Sequence, residues 1–303
     1  MNALYGIGLK IASTMSFAVM LALIKYTSEY MPIGELIFAR CFFALPPLLL
    51  VTAWQSDWRD CIRTKNPWAH VRRSAVGTAA MFCWFVSISM LPLPEATAIS
   101  FLNPLMIVAM AALFLKEVVK AYRWTAVGVS FIGVLIILSP RLSGSTGDVG
   151  LLGAILCLSS TVFTGMAGIL IRQMTKTENN SAIIFYFFVT SSFFSLISIY
   201  WGWVVPDLGT FGLMVLAGVF GGLGQIFITK SYSVAEASLV APFDYVNVVW
   251  NVVIGIVIFG EYPSHAVVVG GGIVVVAGMF VIYRERQLGV SRKAERQAKL
   301  LGS

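Results

Sequence analysis

The class of this protein follows from one uninterrupted apolar stretch, ATAISFLNPLMIVAMAALFL, which runs from Ala96 to Leu115. None of its 20 residues is charged. A helix needs about 20 mainly apolar residues to cross the hydrocarbon core of a bilayer. The apolar residues are continuous rather than alternating, which indicates a membrane-spanning helix and not a strand of a membrane barrel.

Ten stretches of this kind follow one another along the 303 residues. The chain is 58% apolar and only 12% charged, whereas soluble domains carry about 25% charged residues. This composition excludes an ordinary soluble protein, a disordered chain and a nucleic-acid-binding protein. The first stretch lacks a cleavage site of small residues, so we expect it to be retained. The predicted spans are Ala3–Ile24, Ile33–Ala53, Ala75–Leu91, Ala96–Leu115, Trp124–Leu138, Leu151–Ile171, Ala182–Val204, Phe211–Thr229, Ala237–Phe259 and Val267–Tyr283.

Basic residues are concentrated in the segments on one side of the predicted spans. If both termini are cytoplasmic, 17 of the 21 Lys and Arg residues fall in cytoplasmic segments, including the loop Trp54–Arg73. The outside loops then receive only Lys25 and Arg141, while Lys10 and Arg40 lie within spans. An excess of basic residues in cytoplasmic loops determines the orientation of most membrane proteins. The sequence therefore predicts a multi-pass protein of the cytoplasmic (inner) membrane with both termini cytoplasmic.

The second half of the chain repeats motifs of the first half in the same order. LIK at residues 23–25 returns as LIR at 170–172, and PEATA at 94–98 returns as AEASL at 235–239. The pattern FxN at 101–103 returns as YxN at 245–247. Each half holds five spans, and because five is odd, the two halves are inverted in the membrane. We therefore predict an all-α integral membrane fold of ten transmembrane helices, arranged as two inverted five-helix repeats.

The repeats divide the chain into three parts. The first repeat covers residues 3–139 and the second covers residues 150–284. The remaining residues, 285–303, form a basic tail that we expect to be cytoplasmic and attracted to anionic membrane lipids. Inverted repeats are a recurring architecture of secondary transporters, in which the substrate binds near the midplane between the halves.

Two equivalent spans carry polar residues that point to such a site. In span 9, Asp244, Asn247 and Asn251 are spaced i, i+3 and i+7, so they share one helical face. The repeat aligns Ser100 with Asp244 and Asn103 with Asn247. Two matching polar faces from inverted halves predict one shared cavity. The alternative is that these side chains form interhelical hydrogen bonds that only hold the bundle together.

Charged residues inside spans are expensive and usually functional. Asp244 lies well inside span 9, and its repeat partner Ser100 cannot ionise, so we expect Asp244 to couple transport to a proton or to pair with a cationic solute. Its alternative role is a structural pair with Arg40 or Lys10. Arg40, in span 2, is expected to pair with a charge or to extend toward the headgroups. Lys10 is expected to extend toward the inner headgroups and has no assigned role.

Four deep aromatic residues and one amide complete the predicted site. Trp84, Phe101, Tyr245 and Trp250 lie away from the span ends, and a planar or cationic solute could stack on such rings. Phe101 and Tyr245 occupy equivalent positions in the two repeats, as do Trp84 and Gln225. The alternative is that these rings contribute only to helix packing.

Several motifs of this chain recur in one large group of membrane proteins. They are IFAR at 37–40, LPLPEA at 91–96, NP at 103–104, FLKE at 114–117, APFDY at 241–245 and FGE at 259–261. In these motifs the chain resembles the drug/metabolite transporter superfamily, in its EamA branch, over about Tyr5–Arg286. The resemblance implies a ten-helix carrier of amino acids, riboflavin or S-adenosylmethionine. The run Pro67–Arg73 is most similar to the S-adenosylmethionine and riboflavin subgroups. The second half departs from the pattern at Val248, whose repeat partner is Pro104.

Together these features predict a secondary active transporter that moves a small organic metabolite by alternating access. We expect no catalytic residues, no metal and no cofactor, because the sequence has no phosphate-binding loop and no zinc-protease or nucleophile motif. The expected partners are the small-molecule substrate, possible coupling protons and membrane lipids, and a homodimer is compatible with the sequence. A membrane enzyme acting on a lipid-linked substrate is the alternative class, and a channel is a further option.

Overall fold

The computed structural model describes residues 3–55, 59–115, 121–142, 147–175, 177–235 and 241–301, and the structure in these ranges is helical. The helices are α1 (Ala3–Thr27), α2 (Ile33–Phe42), α3 (Leu45–Gln55), α4 (Arg59–Ile62), α5 (Pro67–Met90), α6 (Leu93–Ser100), α7 (Asn103–Leu115), α8 (Ala121–Leu142), α9 (Gly147–Met174), α10 (Asn180–Leu196), α11 (Leu208–Val234), α12 (Val246–Phe259) and α13 (His265–Leu301). Short 3₁₀ helices cover Ile197–Trp201 and Ala241–Tyr245.

These helices form the ten spans of an all-α membrane protein. Within the described ranges, eight helical segments are long and apolar enough to cross a membrane, and Phe243–Phe259 is a shorter apolar segment. The remaining span is span 3, which is formed by the 24-residue helix α5. Spans 2 and 4 consist of the pairs α2–α3 and α6–α7. Spans 1, 3 and 5 are α1, α5 and α8, and spans 6 to 10 are α9, α10, α11, α12 and α13.

Span 3 begins earlier than the sequence analysis predicts. Helix α5 starts at Pro67 rather than near Ala75, because the side chain of Asn66 accepts a hydrogen bond from the Ala69 N–H at 3.1 Å and caps the helix. Proline is favoured in the first turn of a helix, where its missing N–H costs nothing. Arg73, assigned above to a loop, is therefore part of α5. At the other terminus, α13 continues to Leu301, so the predicted tail extends the last span as a helix.

Helix pairing follows the repeat. The most extensive packing joins span 1 to span 8 and span 3 to span 6. Spans 1 and 6 are equivalent in the two repeats, and so are spans 3 and 8. A two-fold rotation that exchanges the repeats therefore superposes the pair of spans 1 and 8 on the pair of spans 6 and 3. Spans 2 and 7, 4 and 9, and 5 and 10 also pack against each other, and each of these pairs is converted into itself. The bundle therefore has a pseudo-two-fold arrangement with all five pairs related by one axis.

Within the described residues, three spans depart from a continuous α-helix, and these departures are called interruptions. Span 4 breaks at Phe101 and Leu102, between α6 and α7, and the described part of span 9 begins with a 3₁₀ turn that ends at Tyr245. Span 2 breaks before its two prolines. The break in span 4 has a local cause, because Pro104 donates no backbone hydrogen bond and its ring would clash with the carbonyl group of Ser100. Phe101 and Tyr245 are repeat equivalents, so the interruptions in spans 4 and 9 lie at matching places.

Candidate functional site

A cavity of about 530 Å³ lies at these two interruptions. Its wall comes from both repeats: from α1, α6 and α7 in the first, and from α11, the 3₁₀ turn, α12 and α13 in the second. The lining residues are Ser13, Thr14, Phe17, Ser100, Phe101, Asn103, Pro104, Leu105, Ile107, Ile228, Asp244, Tyr245, Asn247, Gly278, Val281 and Ile282. Six of the predicted site residues are among them: Ser100, Phe101, Asn103, Asp244, Tyr245 and Asn247.

An ion pair lies in the wall of the cavity. Lys10 Nζ is 2.7 Å from Asp244 Oδ1, and the lysine side chain is fully buried while the aspartate side chain is 48% exposed. The carboxylate therefore faces the cavity with a buried ammonium group behind it. Lys10 does not extend toward the headgroups as expected, because a buried ammonium group in the membrane needs a counter-charge. The partner of Asp244 is thus Lys10, and Arg40 contacts other groups.

The two equivalent asparagines present unused acceptors. Asn103 Oδ1 and Asn247 Oδ1 are buried and accept no hydrogen bond within the described part of the chain. A buried polar atom without a partner costs about 1–3 kcal/mol, so such atoms are usually satisfied by a ligand or by water. Both residues occur in the first turn of the helix that follows the interruption, which aims them at the same space. They can accept hydrogen bonds from the N–H or O–H groups of a solute.

The equivalent aromatic residues contact each other. The ring centroids of Phe101 and Tyr245 are 5.2 Å apart with an interplanar angle of 35°. Gly278 of α13 makes room for the Tyr245 hydroxyl group, which lies where a Cβ atom would otherwise be. The pair forms one apolar surface of the cavity, and the rings join the two repeats at the level of the asparagines.

Five predicted site residues do not line this cavity. Trp84 packs against the main apolar core, and Asn251 is fully buried with both amide atoms unpaired in the described structure. Trp250 Nε1 donates a hydrogen bond to the hydroxyl group of Thr14 at 3.3 Å, so Trp250 contacts a residue that lines the cavity without lining it itself. Gln225 is half-buried on α11, and Arg40 is 8% exposed.

The first span also contributes to the cavity, which the sequence did not predict. Ser13, Thr14 and Phe17 of α1 line the cavity, and Lys10 supports it. Their spacing of three and four residues places them on one helical face. The polar residues Ser13 and Thr14, one turn from the charged residue Lys10 inside span 1, are the signal that could have identified this face.

A second ion pair closes one end of the bundle. Lys25 Nζ is 2.6 Å from Glu261 Oε1 and donates a hydrogen bond to the Leu91 carbonyl oxygen at 2.7 Å. Glu261 Oε2 accepts a hydrogen bond from the Leu93 N–H at 2.7 Å. We call this group the Lys25–Glu261 clamp. It ties spans 1, 3 and 4 of the first repeat to the loop between spans 9 and 10 of the second.

The chemistry of the cavity suits binding rather than bond cleavage. It offers one paired carboxylate, two amide oxygens, hydroxyl groups and an aromatic surface. No group of three His, Cys, Asp or Glu side chains that could hold a metal ion occurs in the ranges that the structure describes. Groups of this kind can hold a polar organic solute by hydrogen bonds and stacking.

Comparison with known proteins relates this chain to membrane transporters. The EamA-like transporter family matches residues 4–139 and again residues 151–284. The pseudopaline exporter CntI of Pseudomonas aeruginosa is 30% identical over 274 residues, which is 90% of this chain and 94% of the exporter. The S-adenosylmethionine uptake transporter of Rickettsia felis is 26% identical over 97% of both chains. The riboflavin transporter of Rhizobium johnstonii is 29% identical over 74% of this chain and 73% of that protein.

A solved structure supports the fold. A protein of known crystal structure superposes with a TM-score of 0.64 over 93% of this chain and 98% of its own, at 18% sequence identity. At that identity the likeness concerns the fold alone. The two family matches together cover most of the chain, and the relatives are named as carriers of small organic molecules. The chain therefore belongs to the EamA-like transporter family and is a multi-pass membrane transporter of small organic solutes.

Proposed function

We propose that the cavity at the interruptions of spans 4 and 9 is the substrate site of a secondary active transporter that works by alternating access. The observation that carries this proposal is the position of the cavity between repeat-equivalent helix breaks. Interrupted helices at the interface of inverted repeats form the substrate sites of many secondary transporters, because unwound turns leave polar groups free for a solute. The unpaired oxygens of Asn103 and Asn247 fit this role.

The Lys25–Glu261 clamp is the outer gate in this proposal. The distribution of basic residues favours a cytoplasmic location for both termini in the cytoplasmic membrane, and this orientation puts Lys25 and Glu261 outside. A closed clamp then corresponds to a cavity that is reached from the cytoplasm. The units that move against each other are the two repeats, residues 3–139 and 150–284, since the clamp joins groups from both.

Asp244 couples transport to ion movement in this proposal. Its carboxylate is shared between the buried ammonium group of Lys10 and the cavity, so a solute or a proton that binds Asp244 weakens the pair with Lys10. Weakening of the Lys10–Asp244 pair favours the conformation that opens to the other side of the membrane, because a ligand shifts an equilibrium by its differential affinity for the two states.

The substrate is a small polar metabolite with hydrogen-bond donors and a planar or apolar portion. The relatives named above carry pseudopaline, S-adenosylmethionine and riboflavin. A cavity of about 530 Å³ accommodates solutes of this class, and Phe101 and Tyr245 provide the apolar surface. S-adenosylmethionine and riboflavin are the first two compounds to test.

Counterflow in liposomes tests the proposal. Purified protein is reconstituted into liposomes loaded with unlabelled S-adenosylmethionine, riboflavin or an amino acid mixture, and uptake of the labelled compound is followed. A carrier shows saturable uptake that is accelerated by the internal solute. Asn103→Ala and Asn247→Ala should each weaken the response by about fivefold to 150-fold, since each loses a hydrogen bond worth about 1–3 kcal/mol.

The matched control is Asn180→Ala, the same substitution at an exposed position at the start of α10. It should transport like the wild type. If Asn103→Ala and Asn247→Ala transport normally but melt at lower temperature, the two residues stabilise the bundle and the cavity is not the substrate site. Uptake that never saturates and shows no counterflow would indicate a channel.

A further inference from the structure

Arg40 is a buried cation that lacks a carboxylate partner among the described residues. It is 8% exposed. Its Nη1 donates to Met81 Sδ at 2.9 Å and its Nε to Met20 Sδ at 3.4 Å, while the guanidinium carbon lies 5.7 Å from the Phe188 ring centroid. Thioether sulfurs are weak acceptors and carry no charge. The positive charge of Arg40 therefore has soft contacts but no counter-ion in the part of the chain that the structure covers.

Arg73 repeats this situation on the neighbouring helix. Its guanidinium carbon lies 3.6 Å from the centroid of Phe187, and its Nε and Nη1 are buried without a hydrogen-bond partner in the described structure. Phe187 and Phe188 are adjacent on α10, with ring centroids 5.7 Å apart. The two guanidinium groups thus sit against neighbouring rings of one helix, and the charge of Arg40 acts on Arg73.

Two like charges at this place are unfavourable unless something compensates them. Neither Arg40 nor Arg73 forms an ion pair with a residue of the described ranges, whereas Lys10 and Lys25 each pair with a carboxylate. Charges within a membrane protein are normally paired, because leaving an ion unpaired in a low dielectric costs several kcal/mol. Guanidinium N–H groups without a partner can bind a carboxylate or a phosphate by donating two parallel hydrogen bonds to two of its oxygens.

Arg40 lies next to the cavity. Met20, which contacts Arg40, is one helical turn beyond Phe17 on the same face of α1, and Phe17 lines the cavity. On α11, Gly221 faces Met20 and Arg40, and Gly224, one turn away, faces Phe17. Arg40 is therefore one turn from the cavity wall, in the direction of the Lys25–Glu261 clamp.

We infer that Arg40 and Arg73 form an oxyanion-binding site for a carboxylate or phosphate group. That this group belongs to the transported solute rests on the proposed function, whereas binding of an oxyanion does not. The second source of the same chemistry is the phosphate of an anionic lipid.

Thermal unfolding of the purified protein in detergent tests the inference. Phosphate or succinate is added at about 10 mM, with the ionic strength held constant by sodium chloride, so that stabilisation reports binding by mass action. The wild type should melt several degrees higher in either anion. Arg40→Gln and Arg73→Gln should lose this shift. Without the anion they should not melt below the wild type, because each removes an uncompensated charge.

Arg72→Gln is the matched control, since Arg72 is the exposed neighbour of Arg73 on α5. It should keep the full shift. Arg40→Lys and Arg73→Lys keep the positive charge but lose the bidentate hydrogen-bonding geometry, so they should retain part of the thermal shift. These variants replace a glutamine variant that does not fold. In a second arm, phosphatidylglycerol replaces the soluble anions, with phosphatidylcholine as its control. A lipid-bound site is stabilised by phosphatidylglycerol, and soluble phosphate then adds nothing.

The inference is overturned if the wild type responds to neither the soluble oxyanions nor phosphatidylglycerol. It is also overturned if Arg72→Gln loses the shift as completely as Arg73→Gln, or if the two glutamine variants melt lower but respond like the wild type, which would show a purely structural role. An intact anion response together with absent counterflow would instead reject the proposed function and leave the oxyanion site standing.

Discussion

Asp244 and Lys10 show how the cavity combines a buried charge with solvent access. The ammonium group of Lys10 is fully buried, and the carboxylate 2.7 Å away offsets part of its desolvation. The carboxylate is half exposed and can therefore also meet a solute. This arrangement gives a structural reason for the pair and leaves one side of Asp244 available for function.

Replacing Asp244 with asparagine separates these two roles. Asp244→Asn should lower the free energy of unfolding by about 1–3 kcal/mol, less than for a fully buried pair, because it removes the carboxylate that pairs with the buried Lys10 ammonium group. We expect the variant still to exchange substrate but to lose accumulation driven by a pH gradient. Thermal unfolding and uptake with and without a gradient measure the two effects.

The double variant Lys10→Gln, Asp244→Asn is the control for charge balance. It should recover most of the lost stability, because neither charge remains, while coupling stays absent. Gradient-driven accumulation that survives in Asp244→Asn would rule out a coupling role and leave the ion pair as a structural feature.

The outcome for individual residues depended on local backbone geometry. The position of Asn103 and Asn247 in the cavity wall was predictable, because the repeat aligned them and each lies in the first turn of a helix that follows an interruption. Asn251 was not, because Asp244 lies in a 3₁₀ turn with about 120° between residues, so the helical spacing from Asp244 does not carry over. Arg73 was misplaced because the Asn66-Pro67 helix start was not recognised in the sequence.

At the scale of helices, the spans were predictable and their interruptions were not. Continuous apolar runs predict a crossing, and the structure has a span at each of the ten places. A run such as Ala96–Leu115 does not show that Pro104 divides it into α6 and α7, since proline also occurs in uninterrupted membrane helices. The break matters for function because it aims Asn103 and Phe101 at the cavity.

The loops at the end of the bundle opposite the clamp are tied together by Glu178. Its Oε1 accepts hydrogen bonds from the Lys65 and Asn66 N–H groups, both at 2.9 Å, and its Oε2 is 3.5 Å from His70 Nε2. Burial raises the pKa of Glu178, but these amides and His70 outweigh it and lower the pKa below its ordinary value.

The lowered pKa of Glu178 predicts loss of stability as the pH falls. The contribution of Glu178 is present above about pH 4.5 and is lost as the pH falls through its lowered folded pKa. Melting temperatures measured between about pH 7 and pH 3 should therefore decline below about pH 4.5.

Glu178→Gln should flatten this decline, because an amide does not titrate. Glu29→Gln, at an exposed acidic residue of the loop after α1, is the control and should leave the decline unchanged. A decline that persists in Glu178→Gln would assign the pH dependence to other groups.

At the scale of the whole molecule, the odd number of spans in each repeat already implied inversion. The structure adds the helix pairing, in which spans 1 and 8 and spans 3 and 6 are interchanged by the pseudo-two-fold axis. Pairing between helices was not predictable from short motif matches, because side-chain packing between apolar surfaces leaves little trace in a single sequence. Glycines such as Gly221 and Gly224, which face α1, are the exception.

The orientation of the bundle is tested by cysteine labelling in intact cells. On a background without the four native cysteines, Glu29→Cys should react with a membrane-impermeant maleimide, since the charge distribution puts this exposed loop residue outside. Arg63→Cys should react only after the membrane is permeabilised. The reverse pattern would invert the orientation and make the Lys25–Glu261 clamp a cytoplasmic gate.

Alternating access through the cavity is measured most directly by labelling Ser100→Cys, on the same background, from each side of oriented membrane vesicles. We predict fast reaction from the cytoplasmic side and slow reaction from the outside. Adding Glu261→Gln should open the clamp and raise the outside rate about tenfold, as expected for loss of about 1.4 kcal/mol, whereas Glu29→Gln should not. Equal rates from both sides in the wild type, or an outside rate that Glu261→Gln leaves unchanged, would contradict the account.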